Sequence, residues 1–274
     1  MGVLDRAAQH QANGDIFALA TVVRTLSVTA AKAGAKALIA PDGTIEEGWI
    51  GGGCARAAVL KAARQSMIDG QSRLVSITPK ELLEDLGVSP GEEAGGVLYA
   101  KNSCPSQGTM DIFIEPVLPD PKLLILGASP VALALAKLAP LMGFAVSVAA
   151  QAADLAKFDG APARIEGFAV PADFGVGGYI VVSTQGAGDR AALKAAAAAP
   201  ARYRAFVGSR RKAETLRAEL AAEGASVEGL AAIKAPAGLD IHAISTDEIA
   251  LSILAEMVAS RRQGQSQSGD AQHG

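Results

Sequence analysis

Cysteine, histidine and aromatic residues are all scarce in this chain of 274 residues, which has two Cys, three His and 4% aromatic residues. Two cysteines do not make the disulfide framework of a small secreted domain, so we expect a protein of the reducing cytoplasm. His10, His242 and His273 show no metal-ligand spacing, which argues against a closed zinc site. A net charge of −3 gives no reason to expect nucleic-acid binding.

Long uninterrupted apolar runs are missing as well. The first fifteen residues contain no apolar segment of the kind that secretory signals carry. The most apolar stretch, Leu123 to Ala150, is broken repeatedly by glycine and proline. This pattern favours a strand, a helix and a strand in a buried sheet over a membrane span. We therefore expect no membrane association.

Apolar residues make up 50% of the chain, enough for a core in each of two domains. Three prolines between Glu115 and Pro121 are incompatible with regular structure and predict a stiff linker at residues 117–121. An N-terminal α/β domain is therefore expected at residues 1–116 and a second domain at residues 122–262. Residues 263–274 are rich in Gln, Ser and Gly, and we expect them to be disordered.

Strand and helix patterns alternate through the second half of the chain. Lys122 to Leu126 is typical of a strand, Pro130 to Met142 of a helix, and Phe144 to Ala149 of another strand. Alternation of this kind predicts a doubly wound parallel sheet. The fold class is therefore α/β, with an N-terminal α/β domain followed by a Rossmann-type domain.

The most informative motif is a run of three glycines, Gly51, Gly52 and Gly53, that leads into Cys54 and then into a predicted helix. A cysteine at a helix N-terminus is stabilised as the thiolate by the unpaired N–H groups there. Glycines leave the backbone bare, so a ligand can approach it closely. The motif is consistent with a site for a soft metal or a sulfur-bearing ligand, with a nucleophile, or with a small residue packed at a turn.

A second glycine motif lies where a dinucleotide fingerprint would lie, between a strand and a helix. Gly127 and Ala132 fit the pattern, but Ser129 stands where a glycine should let the backbone meet a pyrophosphate. The acidic residue expected after the next strand is also absent, since Gln151 follows Ala150 there. Two interpretations of this turn therefore remain. One is an NAD(P)-dependent oxidoreductase, and the other is a Rossmann-type scaffold with an altered crevice.

Two further turns follow predicted strands in the second half. Gly208 and Ser209 precede Arg210 and Arg211 at a helix start, where a capping serine and two arginines favour an anion. A glycine-rich turn ends at Asp189. Both turns are expected at the carboxyl edge of the sheet, where open α/β sheets bind ligands. A phosphate-bearing ligand and a solvated helix start are the two interpretations.

The second cysteine, Cys104, lies in a loop from Asn102 to Gly108 that has no local metal ligands. Cys54 and Cys104 are both predicted on loops of one domain, so they could meet in space. Two thiolates suit Cu(I) or molybdenum. A copper-delivery protein is therefore another alternative. The competing interpretation is a single reactive thiol at Cys54, with Cys104 taking no part in the site.

Several segments together resemble the XdhC/CoxI family. In the first half these are Ala20 to Thr25, Gly34 to Lys36, Gly51 to Cys54 and Ile114 to Pro116. In the second half, the matching segments are Gly208 to Lys212, Ala235 to Ile241 and Glu248 to Glu256. The second-half segments are the more specific, and the resemblance covers nearly the whole chain apart from the tail.

The resemblance implies a function. Members of this family are maturation factors that bind the molybdenum cofactor, assist its sulfuration by a cysteine desulfurase, and pass it to an apo molybdenum hydroxylase such as xanthine dehydrogenase or carbon monoxide dehydrogenase. Carried over, Cys54 is the cofactor-binding and metal-binding thiol and the preceding glycines form its cradle. Cys104 matches a cysteine often found in a Cys-Gly-Gly loop, with Pro105 and Ser106 in place of the glycines.

Catalytic turnover is left open, because no catalytic triad or pair of acid–base carboxylates stands out and a maturation factor needs none. Gly127, Ser129 and Gly208 to Arg211 complete the set of candidate cofactor-binding residues. The apolar segment Ile249 to Val258 in the last predicted helix suggests a surface for a homodimer.

Overall fold

The structure, a computed structural model, describes residues 2–103, 107–160 and 163–266, and gives only the backbone for Cys54 and residues 264–266. The chain divides into two units on either side of the Pro119–Asp120 bond. Unit 1 precedes that bond and unit 2 runs from Asp120 to Gln263.

Unit 1 is built around one mixed sheet of seven strands, in the order β3-β2-β1-β7-β4-β6-β5. Neighbouring strands are antiparallel, except that β4 and β6 are parallel. Its elements are α1 (Val3–Asn13), β1 (Phe17–Leu26), β2 (Lys36–Ile39), β3 (Ile45–Gly48), α2 (Gly53–Asp69), β4 (Arg73–Pro79), α3 (Lys80–Leu86), β5 (Glu93–Ala94), β6 (Val97–Asn102) and β7 (Thr109–Val117).

Helix α2 covers the centre of this sheet. Alternate residues of β1, among them Ala20 and Val22, are fully buried and pack with Val59 and Ala63 of the helix. Side chains two apart on a strand share a face, so this alternation directs one face of the sheet at α2. The packing fixes the start of α2, and with it the glycine turn, against the end of the sheet.

The expectation that Glu115 to Pro121 contains no regular structure is wrong for its first three residues. Strand β7 continues to Val117, and Pro116 is paired with Ala18 of β1. The pairing of β7 with β4 ends at Ile114, so Pro116 lies where β7 has a neighbour on one side only. A proline is tolerated there because the missing N–H need not serve a second strand.

Unit 2 is a parallel sheet of five strands in the order β10-β9-β8-β11-β12, which confirms the predicted Rossmann-type α/β fold. Its elements are β8 (Lys122–Leu126), α4 (Pro130–Leu138), a 3-10 turn (Ala139–Met142), β9 (Ala145–Ala150), α5 (Ala152–Leu155), β10 (Arg164–Glu166), β11 (Tyr179–Val182), α6 (Asp189–Ala198), β12 (Tyr203–Phe206), α7 (Arg210–Ala222), α8 (Val227–Ala231) and α9 (Thr246–Ser266).

Strand β8 shows how the unit is layered. Leu123 and Ile125 point to one face and pack with α4 and α9, whereas Leu124 and Leu126 point to the other and pack with α6, α7 and α8. An apolar strand with no polar alternation is what burial on both faces requires. The strand order reverses between β8 and β11, which opens a crevice at their carboxyl ends.

Helix α9 continues to Ser266, into the tail at residues 263–274, and the disorder of that tail stays a prediction. The remainder of that tail, residues 267–274, lies outside the described residues, as do Cys104 and Pro105. No helix in the described ranges is long and apolar enough to cross a membrane.

Candidate functional sites

The three glycines form the connection between β3 and α2. Gly51 and Gly53 have positive φ, +108° and +53°, which glycine adopts without the strain that a side chain brings. Gly52 is the N-cap of α2, and no side chain caps the helix there. The helix therefore begins with N–H groups that no capping side chain satisfies, and Cys54 lies in its first turn.

A cavity of about 330 Å³ adjoins this turn. Its wall is mostly apolar, and two of its polar side chains are hydrogen-bonded within the protein: Asn102 Nδ2 donates to the Gly108 carbonyl at 2.6 Å and Thr29 Oγ1 to the Ala31 carbonyl at 2.7 Å. The lining residues are Thr29, Ala30, Gly52, Gly53, Ala55, Ile77, Asn102, Ser103, Gly108 and Met110. The cavity therefore offers a partly open, mostly apolar surface beside an uncapped helix end.

Both cysteine-bearing segments border this cavity. Gly53 and Ala55, on either side of Cys54, line it, and so does Ser103, which precedes Cys104. The side chain of Cys54 and the whole of Cys104 lie outside the described residues. What the structure brings together is thus the residues next to Cys54 and the residue before Cys104 in the sequence.

Trp49, the only tryptophan of the chain, lies next to the glycine turn with its side chain about half exposed (52%). Its backbone is held by the hydrogen bond from Trp49 N to the Lys36 carbonyl, 2.9 Å. A Cβ at Gly52 would lie 3.7 Å from the nearest indole atom, Cη2. The indole is therefore in contact range of the residue that also lines the cavity, and it can report on that site.

Two serine side chains meet where the crevice between β8 and β11 is expected. The Ser129 hydroxyl accepts a hydrogen bond from Ala132 N at 3.2 Å and lies 2.6 Å from the Ser183 hydroxyl, and Ser129 N donates to the Ser183 carbonyl. Pro130 has no N–H to offer. The first turn of α4 therefore presents few free donors to a pyrophosphate, and the described residues give no support to a dinucleotide at Gly127 and Ser129.

Asp189 is the most enclosed carboxylate of unit 2, with 5% of its surface exposed. It accepts hydrogen bonds from the Thr184 hydroxyl and from Gly186 N, and it pairs with Lys212 Nζ at 2.5 Å. Burial alone would raise the pKa of Asp189, but the hydrogen bonds from Lys212, Thr184 and Gly186 together hold it below the ordinary value. Through its ion pair with Lys212, this carboxylate links the start of α6 to α7.

The turn at Gly208 adjoins a second cavity, of about 610 Å³. Ser209 caps α7 by accepting a hydrogen bond from Lys212 N at 3.3 Å. Gly208, Ser209 and Arg210 line the cavity, whereas Arg211 does not. The opposite wall is the loop that follows Lys234 together with Ile249 and Ser252 of α9.

The wall of this second cavity is held by an ion pair. Lys234 Nζ is paired with Glu256 Oε1 and donates to the Gly238 carbonyl at 3.0 Å. Glu256 Oε2 accepts from Gly238 N at 3.0 Å and from the Tyr203 hydroxyl at 2.5 Å. Burial raises the pKa of Tyr203, so its hydroxyl stays protonated and remains a donor.

Some of these site residues were missed by the sequence analysis because they are distant along the chain. Thr29, Ile77 and Met110 meet the glycine turn only through the sheet order, and Lys234 meets Glu256 only after α9 packs. Within the described ranges, no group of three or more His, Cys, Asp or Glu side chains could hold a metal ion. A metal held at the glycine turn would depend on the cysteines and on ligands that the metal brings.

The fold and these sites define a two-unit protein with a glycine-turn cavity in its first unit and a Rossmann-type second unit. The family model described as the XdhC Rossmann domain matches residues 123–257, and the model described as the XdhC and CoxI family matches residues 10–78. The chain belongs to the XdhC and CoxI family.

Two further likenesses were found. The chain is 28% identical over 270 residues to a protein of Escherichia coli (strain K12) called "Uncharacterized protein YqeB", with 94% of this chain and 46% of that protein covered. The chain thus spans about half the length of that relative. The chain also shares 18% identity, over 96% of each chain and with a TM-score of 0.45, with a solved structure described as the crystal structure of a xanthine dehydrogenase from Bacillus halodurans.

Proposed function

We propose that the chain is an accessory factor that binds the molybdenum cofactor, assists its sulfuration and transfers it to an apo molybdenum hydroxylase of the xanthine dehydrogenase or carbon monoxide dehydrogenase type. Family membership supports the general role. The observation that carries the site is the uncapped start of α2, with Cys54 in its first turn, beside a cavity that the Cys104 loop also borders.

The residues present suit such a ligand. A cavity of about 330 Å³ falls within the range of small-molecule sites, which is roughly 300–1,000 Å³. Its wall combines apolar side chains with the bare backbone of Gly52 and Gly53, which leaves room for a flat ring system and for hydrogen bonds from the helix end. When bound, the cofactor supplies the metal and its oxygen and sulfur ligands.

The chain's own residues would then do three things. Ala30, Ala55, Ile77 and Met110 exclude water from the ligand, since they form the apolar part of the wall. The first turn of α2 favours the thiolate form of Cys54, the form that binds metals. Cys104 would supply a second thiol from the Asn102 to Gly108 loop, part of which lines the same cavity.

The proposal extends to partners. A cysteine desulfurase and the apo-hydroxylase would each have to reach the glycine turn, and the exposed Trp49 is available as part of that contact surface. A cytoplasmic location and a homodimer remain expectations. The crevice geometry described above gives the NAD(P)-dependent oxidoreductase no support. Copper delivery is supported by one observation, which is that both cysteine-bearing segments border a single cavity.

Trp49 provides a direct test of ligand binding. We expect its fluorescence to change saturably when the protein is titrated with molybdenum cofactor released from a denatured molybdoenzyme, because the indole lies beside Gly52 at the cavity. The Trp49→Phe variant should still retain the cofactor on gel filtration but lose the signal. Free N-acetyltryptophanamide corrects for light absorbed by the pterin. Unchanged emission together with no retained pterin would contradict the proposal.

A further inference from the structure

The cavity of about 610 Å³ at the carboxyl end of β12 has the features of a separate ligand site. We propose that it binds a small organic phosphate, a phosphate monoester carried on an apolar or heterocyclic body. This site goes beyond the proposed function, because it uses none of the residues around Cys54 and stands whether or not that function is correct.

Arg210 supplies the anion-binding end. Arg210 lines the cavity and is exposed, and no hydrogen-bond acceptor for its side chain is found among the residues that the structure describes. A guanidinium fork matches the geometry of a phosphate and binds it through two parallel hydrogen bonds. Ser209 already caps α7, so the arginine and not the helix end is the principal anion contact.

The charges around the cavity limit how many phosphates it can take. Lys234 also lines the cavity, but its charge is balanced by Glu256. Asp240, an exposed carboxylate among the lining residues, adds a negative charge that repels further anions. Arg210 is therefore the only cation in the described lining whose charge no carboxylate balances, which favours a single phosphate over a triphosphate.

The apolar part of the lining would hold the body of the ligand. It is formed by Val207, Pro236, Leu239, Ile241 and Ile249. Leu239 and Ile241 are 43% and 46% exposed, so a ligand that covers them removes apolar surface from water. Inorganic phosphate cannot make these contacts, so it should bind more weakly than an organic phosphate.

The wall is already fixed before any ligand binds. Lys234 Nζ and Glu256 hold the loop that follows Lys234 through hydrogen bonds with the Gly238 backbone. In the same loop, Leu239 N donates to the Ser252 carbonyl at 3.2 Å. Ala237 N donates to the Phe206 carbonyl at 3.0 Å. A preformed wall lowers the entropy lost on binding, which is the usual character of small-molecule sites.

Calorimetry on the full chain tests this site with AMP, hexyl phosphate and inorganic phosphate as probes. We expect at least one of the two organic phosphates to bind, and inorganic phosphate to bind about tenfold more weakly or not at all. Arg210→Gln should weaken the organic phosphate by about tenfold or more, because a charge-assisted hydrogen-bond pair is lost. Arg211→Gln, the neighbouring arginine outside the cavity, is the matched control and should change affinity by less than about twofold.

A second pair of variants tests the apolar wall. Leu239→Ser should weaken the organic phosphate by several fold, whereas Leu251→Ser, which changes an exposed leucine of α9 outside the lining, should leave it unchanged. The site is refuted if neither organic phosphate binds, if the two arginine variants lose affinity equally, or if inorganic phosphate binds as tightly as the organic ones. Cys54→Ser should not alter any of these affinities, which separates this site from the cofactor proposal.

Discussion

Replacing Gly127 by alanine is expected to lower the free energy of unfolding by about 3–5 kcal/mol, the sum of backbone strain and overpacking at one position. A Cβ there would lie 2.5 Å from the Ser183 carbonyl oxygen and 2.7 Å from Thr184 Cα. These are backbone atoms at the end of β11, the strand next to β8, so they cannot turn away as a side chain would. The φ of Gly127, +112°, adds strain for any other residue.

Gly224→Ala is the matched control for this prediction. Gly224 also has a positive φ, +85°, but no atom lies within 4 Å of the place a Cβ would take. It should therefore show the backbone strain alone, about 1–2 kcal/mol. Urea unfolding of both variants measures the difference. Equal losses would mean that the close approach of β8 and β11 at Gly127 does not limit stability.

Asp189→Asn is expected to cost about 2 kcal/mol of stability at neutral pH, because a buried carboxylate that accepts hydrogen bonds and pairs with Lys212 loses its charge. Asparagine keeps the shape and can still accept from Thr184 and Gly186 N. The Lys212 side chain is 42% exposed, so water replaces part of the lost interaction and holds the cost near the lower end of the range for charged hydrogen bonds.

The pH dependence of that variant follows from the direction of the pKa shift. The pKa of Asp189 in the folded protein lies below its ordinary value of 3.8, since the hydrogen bonds outweigh burial. A lowered folded-state pKa contributes stability that is present above the unfolded-state pKa and is lost as the pH falls through the folded-state pKa. The difference between wild type and Asp189→Asn should therefore be constant near neutrality and shrink below about pH 4.

Asp173→Asn serves as the control for the charge change. Asp173 pairs with Lys122 at 2.6 Å, but its side chain is 78% exposed. Exposed ion pairs contribute little to stability, so this variant should unfold at nearly the wild-type urea concentration at both pH 7 and pH 3. If the difference between wild type and Asp189→Asn stays the same from pH 7 to pH 3, the carboxylate of Asp189 is not the charged group that the structure describes.

Sequence patterns were sufficient where structure depends on neighbouring residues. The continuous apolar run from Leu123 to Leu126, followed by a proline at a helix start, predicts a buried strand and a helix, and both are present. The same local rule failed at Pro116, because whether a strand tolerates proline depends on where its neighbours end.

Sequence patterns were insufficient where contacts join distant segments. The glycine turn was recognised from the sequence alone. The cavity beside it is lined by Thr29, Ile77 and Met110, which only the folded sheet brings together. Ser129 was recognised as a departure from a dinucleotide fingerprint. Only the structure shows that its hydroxyl lies against Ser183, a residue from the neighbouring strand's end. The pairing of Asp189 with Lys212 likewise depends on how α6 and α7 pack.

The most direct test of the account is cofactor retention by Cys54→Ser compared with Ala57→Ser, which places the same side chain at an exposed position in the next turn of α2. Each protein is mixed with molybdenum cofactor and passed over a gel-filtration column, and the retained pterin is measured by fluorescence after oxidation. We predict at least about a tenfold loss for Cys54→Ser, in line with loss of a metal–thiolate contact, and wild-type retention for Ala57→Ser. Wild-type retention by Cys54→Ser would contradict the role assigned to this thiol.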